Sequence, residues 1–267
     1  MLVTSLVARY DHLLLDLDGC VWVGDEPTEG AVDAVASLRS AGKGIAFVTN
    51  DTQLTTEEYV RKLWRLGFQA SLEEVVTAGG ALQYVLAEQF TGATAVVIGS
   101  PAVHGHVEAA GVRIVNRTAF ASRADVVVVA YHPHFDYAEL RDATQAALRG
   151  ALLLGSNRDA TFPMPDGPWP GSGSVLAAVE TASGRSAAIV GKPEPVLVQT
   201  ALDRLGPGRA LMVGDRVDAD LGAAHAAGID GAIVLSGASS RESAEQASEP
   251  RPVAIAERLA TLVLASA

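Results

Sequence analysis

Four short apolar runs along the chain each end in polar residues. His12-Leu13-Leu14-Leu15 runs into Asp16-Leu17-Asp18-Gly19. Residues 44–48 run into Thr49-Asn50-Asp51, 187–190 into Gly191-Lys192-Pro193, and 210–213 into Gly214-Asp215. Runs of this length, bounded by glycine or polar residues, read as strands buried on both faces. If all four are parallel strands of one sheet, their carboxyl ends share one edge, where open α/β sheets bind ligands. A helix is expected over residues 31–39. Thr55, with Glu58 three residues on, predicts a capped helix to about residue 66, and 75–77 reads as a further strand.

A second alternating set follows, with apolar runs at 95–98, 126–130 and 151–154 and helical segments at 101–110 and 136–148. Three strands alternating with helices suffice for a small α/β unit. Strands of the first type resume at residue 187. The chain therefore reads as a split domain, residues 1–80 and 184–267, interrupted by an insertion over 81–183. The end of the chain predicts a strand at 232–235, a polar stretch at 239–251 and a last helix at 254–264.

Composition narrows the chemistry. The 267 residues are 49% hydrophobic and carry a net charge of −11. That charge argues against nucleic acid, whose binding needs Lys and Arg to neutralise phosphates. It also repels a phosphorylated metabolite at long range, so a phosphate site has to be positive locally, through a metal, Lys192 and Arg216. The single cysteine, Cys20, excludes an intramolecular disulfide and fits a reducing cytoplasm. The first ten residues carry no signal-type pattern and no apolar run is long enough to span a bilayer, so a cytoplasmic protein without membrane contact is expected.

Two carboxylates two residues apart at a strand end are costly unless a cation or hydrogen bonds hold them. Aspartates suit Mg²⁺, and lysine with hydroxyl or amide donors suits phosphate oxygens. Trp22, beside the aspartates, reads as packing or as a ligand contact. The stretch Pro170-Gly171-Ser172-Gly173-Ser174 reads as a turn and helix cap rather than an anion site. His104, His106, His132 and His134 lack cysteine or clear carboxylate partners and read as exposed histidines, not a zinc site.

Taken in order, these motifs resemble the haloacid dehalogenase superfamily, and within it the NagD-type phosphatases. Asp16-Leu17-Asp18-Gly19 is similar to the first motif, Thr49-Asn50 to the second, Gly191-Lys192-Pro193-Glu194-Pro195 to the third and Gly214-Asp215-Arg216-Val217-Asp218-Ala219-Asp220 to the fourth. Asn157-Arg158-Asp159, with Pro163 and Pro170-Gly171-Ser172-Gly173, is similar to a cap signature. The resemblance spans essentially the whole chain. It implies an α/β fold: a Rossmann-like core with a parallel sheet and an inserted smaller α/β cap of the C2 type.

It further implies a Mg²⁺-dependent phosphatase acting on a small-molecule phosphate ester, with Asp16 as nucleophile and Asp18 as general acid. Asp16, Asp215 and the backbone carbonyl of Asp18 would hold the metal. Asp220 would lie behind them or bind through water. Thr49, Asn50 and Lys192 would bind the phosphoryl group, and Asn157, Arg158 and Asp159 would contact substrate from a mobile cap. A homodimer through the cap is also implied.

Two residues depart from the pattern. Cys20 replaces a threonine or similar small residue, and Asp51 replaces a second asparagine, which adds negative charge unless turned away. Arg216 and Asp218 fit a surface ion pair as well as a substrate role. A cysteine phosphatase is set aside because Glu26, not arginine, lies six residues after Cys20. Dehalogenation is disfavoured because halide needs no proton from Asp18. A catalytically idle metabolite-binding protein is the alternative from another class. Glycerol, nucleoside, pyridoxal and sugar phosphates all remain open as substrates.

Overall fold

The computed structural model describes residues 2–265. Six parallel strands form the larger sheet, in the order Ala254–Ala256, Asp230–Val234, Ala210–Gly214, His12–Leu15, Gly44–Thr49 and Val75–Thr77. The central strand, His12–Leu15, is buried throughout. Its side chains alternate between two faces, as strand geometry requires. Leu13 and Leu15 join one apolar cluster, and Leu14 joins the other with Ala46, Val48 and Met212. Leu15 pairs with Val213 on one side and Phe47 on the other. This register brings Asp16, Gly214-Asp215 and Thr49-Asn50 to the same edge.

The smaller sheet has five parallel strands, in the order Ala188–Ile189, Leu152–Gly155, Val126–Val129, Thr94–Ile98 and Arg113–Ile114. The architecture is α/β with a Rossmann-like core and an inserted cap. Thr55 and Asp136 each close a capping box at the starts of the helices Thr56–Arg65 and Tyr137–Leu148. No helix among the described residues is long and apolar enough to cross a membrane.

Two expectations need correction. The run 187–190 is not a strand of the core sheet, because Ala188 and Ile189 pair with Leu154 and Gly155 of the smaller sheet. Only three of the four motif-bearing runs are thus strands of one sheet, and Lys192 enters the site from the neighbouring one. On this pairing we propose that the inserted unit extends past residue 183 to about residue 190. The segment 254–264 is not one helix. Ala254–Ala256 forms the edge strand and the helix is limited to Leu259–Val263, while Arg241–Gln246 within the polar stretch is helical.

Leu13, fully buried at the centre of the larger sheet, is where core truncation should be felt. Leu13→Ala is expected to lower unfolding free energy by about 2–5 kcal/mol in urea denaturation. A loss below about 0.5 kcal/mol, a quarter of the lower bound, would show that this position does not carry the core.

Candidate active site

Asp16 follows the central strand directly, with its backbone N–H donating to Val213 O at 2.9 Å. The chain then turns sharply. Cys20, Val21 and Trp22 all donate their N–H groups to Leu17 O. Gly19 adopts φ +87°, and a Cβ there would lie 2.4 Å from an oxygen of Asp215, so both conformation and space call for glycine. The turn brings the Trp22 indole N–H to Asp18 Oδ1, donating at 2.8 Å. Trp22 is fully buried and so serves as packing and as a holder of Asp18.

Lys192, 2% exposed, donates from Nζ to Asp16 Oδ1 at 2.5 Å, Asp220 Oδ1 at 2.6 Å and Val48 O at 3.1 Å. Burial alone favours the neutral amine, but the Asp16 and Asp220 carboxylates outweigh it and raise its pKa. Asp16 itself is pushed well above the carboxylate range by burial, which Lys192 opposes and Asp220 and Asp215 reinforce. Burial, then Asp220, pushes Asp215 up to about 7.

Oxygens of Asp16, Asp215 and Asp220 lie within 4.8 Å of one another. Asp215 Oδ2 accepts from Ala238 N at 2.6 Å, while its Oδ1 is buried without a partner. Hard oxygen donors with an orphaned carboxylate oxygen fit a small divalent cation. The Asp18 side chain is outside this group. Burial, then Asp51, raises its pKa to about 6, against the pull of Lys62 and the Trp22 hydrogen bond.

Thr49 ends its strand beside Asp16, and its hydroxyl accepts from Asp51 N at 3.0 Å. Asn50 is used differently from the expectation. Its Oδ1 accepts from Lys192 N at 2.7 Å, and its Nδ2 donates to Lys192 O at 3.0 Å and Asp159 Oδ2 at 3.1 Å. The amide clamps the lysine loop, with both N–H donors engaged. Asp51 lines the cavity with both oxygens engaged: Oδ2 accepts from Tyr59 OH at 2.6 Å and Oδ1 from Gln53 N at 3.1 Å.

The cap signature divides. Asn157 and Asp159 line the cavity, but Arg158 does not. Arg158 points outward, donating to both Glu180 oxygens at 3.0 and 2.9 Å. With its guanidinium held by Glu180 and absent from the cavity lining, Arg158 is corrected from a substrate contact to an outer ion pair. Arg216 pairs with Asp218 at 2.9 Å and with Asp159 at 3.3 Å, and so is more than a surface residue. Of the four histidines only His134 is exposed. His106 pairs with Gln83, and His132 lies 3.5 Å from Glu139.

Asp16, Asp18, Lys192 and Asp215 open onto a cavity of about 800 Å³ that is also lined by the aromatic side chains Tyr131, Phe162 and Trp169. The Tyr131 and Phe162 rings meet edge to face at 5.1 Å, and Phe162 and Trp169 at 6.3 Å. Sequence reasoning missed this wall and Tyr59. Tyr131 alone had a signal, standing directly after an apolar strand run.

Residues 13–113 match the haloacid dehalogenase-like hydrolase model, and 189–262 match a second, HAD-hydrolase-like model. The chain is 39% identical over 261 residues to the D-glycerol 3-phosphate phosphatase of Mycobacterium tuberculosis, covering 97% of this chain and 72% of that protein. A structure of the glycerol phosphate phosphatase from that organism in complex with magnesium superposes with a TM-score of 0.85 at 39% identity, over 96% of this chain and 77% of that one. The p-nitrophenyl phosphatase of Archaeoglobus fulgidus superposes with a TM-score of 0.83 at 28% identity, over 95% and 98% of the two chains. The chain belongs to the haloacid dehalogenase-like hydrolases, within their NagD-type phosphatase branch.

Proposed function

We propose that the chain hydrolyses small phosphomonoesters with Mg²⁺ through a phosphoryl group carried on Asp16. The observation that carries this reading is the buried set of Asp16, Asp215 and Asp220 around Lys192, with Asp18 held separately by Trp22. Asp16, Asp215 and the backbone carbonyl of Asp18 would hold Mg²⁺, with Asp220 beside them. The bound cation would offset the charge that keeps a carboxylate from a phosphate.

An Asp16 oxygen attacks phosphorus as the bond to the leaving oxygen breaks, and Asp18 gives that oxygen a proton. Asp18, now ionised, takes a proton from the water that attacks the aspartyl phosphate, which restores both carboxyl groups. Thr49 meets the phosphoryl oxygens and Lys192, its three donors held by Asp16, Asp220 and Val48, supplies positive charge beside them, while Asn50 holds the Lys192 loop in place.

Glycerol phosphate is the first substrate to test, because the similar phosphatase of Mycobacterium tuberculosis carries that name. The aromatic wall favours a second reading, a planar leaving group. The cavity falls in the range of ~300–1,000 Å³ common for small-molecule sites and has space beyond a three-carbon ester. Specificity constants for glycerol phosphate, pyridoxal phosphate and a nucleoside monophosphate would rank the two readings.

We also assign the protein to the cytoplasm, which suits Cys20 as a buried thiol donating to Val213 O at 3.7 Å. A homodimer through the inserted unit accords with Phe120 and Tyr137, which are 65% and 81% exposed there. Sedimentation equilibrium should report a dimer, and a monomer throughout would remove that part of the proposal.

Hydrolysis of p-nitrophenyl phosphate should require Mg²⁺, stop with EDTA and return when Mg²⁺ is restored. Asp16→Asn should abolish turnover while Mg²⁺-dependent phosphate binding persists in calorimetry; turnover near the parent rate would refute the nucleophile. Asp18→Asn should separate the two steps. On glycerol phosphate it should cost about 10²–10⁴ in rate, the usual worth of a general acid. On p-nitrophenyl phosphate, whose leaving group needs little protonation, a stoichiometric burst of nitrophenolate should survive before slow turnover. Equal losses on both esters with no burst would contradict the assignment.

A further inference from the structure

The cap signature contributes one carboxylate that reaches two separate loops of the core. Asp159 Oδ2 accepts from Asn50 Nδ2 at 3.1 Å, and Oδ1 lies 3.3 Å from Arg216 Nε. Both side chains of the ion pair are largely buried, 18% exposed for Arg216 and 19% for Asp159. Asn50 and Arg216 lie at the ends of different core strands, and each holds a group of the reaction centre. Asn50 grips the Lys192 peptide from both sides, while Arg216 donates its backbone N–H to Asp220 Oδ2 at 3.0 Å.

Asp159 is itself fixed from within the inserted unit. Its N–H donates to Asn157 Oδ1 at 3.0 Å, and its carbonyl accepts from Gly173 N at 2.9 Å. A Cβ at Gly171 would stand 2.3 Å from Asp159 O, and one at Gly173 equally close to Arg158 O. The start of the helix Ser172–Ser183 thus lies against this stretch only because both positions are glycine. Two further bonds follow the same course. Asn157 Nδ2 donates to Asn50 O at 2.8 Å, and Arg216 Nη1 to Thr161 O at 3.3 Å.

We propose that Asp159 is a positioning residue that aligns the Asn50–Lys192 clamp with the Arg216–Asp220 loop, so that the inserted unit completes the phosphate pocket as well as covering it. The proposal rests on the phosphatase reading of the same site. Its logic is geometric. Both Asp159 oxygens face protein partners, and those partners set the backbone around Lys192 and Asp220. Loss of the carboxylate should therefore disturb the phosphoryl end of the site, whatever the leaving group.

The test uses the full chain with Mg²⁺, glycerol phosphate, p-nitrophenyl phosphate and inorganic phosphate. Asp159→Ala should lower kcat by about tenfold or more, comparable to losing an outer-shell partner (~10–100-fold). The inhibition constant for inorganic phosphate should rise, and the kcat loss should be alike for both esters. Asp159→Asn keeps an acceptor for Asn50 but gives up the charge facing Arg216, so it should be milder and guards against a failure of the alanine variant to fold. In a cycle with Arg216→Ala, the double variant should lose at least about threefold less than the product of the single losses, as coupled residues do.

Unchanged kcat and phosphate inhibition in both Asp159 variants would overturn the proposal. So would a loss confined to one ester, which would mark a leaving-group contact, or a fall in Tm with full kcat per folded molecule, which would mark a structural role only. Absence of Mg²⁺-dependent hydrolysis in the parent chain would instead overturn the phosphatase reading, so the two failures are distinguishable.

Discussion

The Lys192 ammonium, 2% exposed, is set between Asp16 at 2.5 Å and Asp220 at 2.6 Å, and the arrangement of the site follows from it. Burying an ion costs several kcal/mol even after relaxation, and removing one partner of a buried pair costs about 3–5 kcal/mol. Such a group is tolerable only if its partners are held as firmly as it is. Asn50 accordingly fixes the lysine backbone, the central strand fixes Asp16, and the Arg216 N–H fixes Asp220. One ammonium among three carboxylates still leaves an excess of negative charge. The orphaned Asp215 oxygen marks where that excess is least satisfied, and a divalent cation is the natural counter-charge.

The chemistry at the strand ends was legible because an apolar run followed by a charged residue is a local pattern. Sheet membership was not. Residues 187–190 look like any short buried strand, yet only pairing with Leu154 and Gly155 decides that Ala188–Ile189 belongs to the smaller sheet. Residues 254–256 failed for a related reason. A three-residue edge strand is too short to show a period of two, and the apolar positions after it extended a false helix. Arg158 was not legible, because its partner Glu180 lies 22 residues on and only folding brings the two together.

The two departures from the family pattern find different answers in the packing. The Cys20 thiol sits against a carbonyl of a neighbouring core strand, a weak donor filling a hydroxyl's place. Asp51 keeps its charge but directs it at the Tyr59 hydroxyl, and burial followed by Asp51 raises the pKa of that phenol well above its usual value. Tyr59 stands on the buried face of a helix that begins after Asp51, and nothing in the spacing of the two residues announces the contact. The same carboxylate adds to the burial that keeps Asp18 protonated at higher pH than an ordinary aspartate. A substitution that looked adverse for phosphate thus favours the proton form a general acid needs.

The acidity of the whole chain sharpens the case for a closed site. At a net charge of −11 the surface repels a phosphate ester, although salt screens that field beyond about 8–10 Å. Cations at the rim are already engaged: Arg65 lies 3.1 Å and Lys62 3.5 Å from Asp25, and Arg61 lies 3.9 Å from Glu58. Attraction for phosphate must therefore come from inside, where water is scarce and each charge acts more strongly. Lys192 and Arg216 supply positive charge there, and each is held in part by residues of the inserted unit or by residues those contact. A core lacking that unit would retain Asp16 and Asp18 but would leave Asn50 and Arg216 without the carboxylate they share. The insertion thus adds to the electrostatics of the buried site through Asp159, while its aromatic side chains Tyr131, Phe162 and Trp169 line the same cavity.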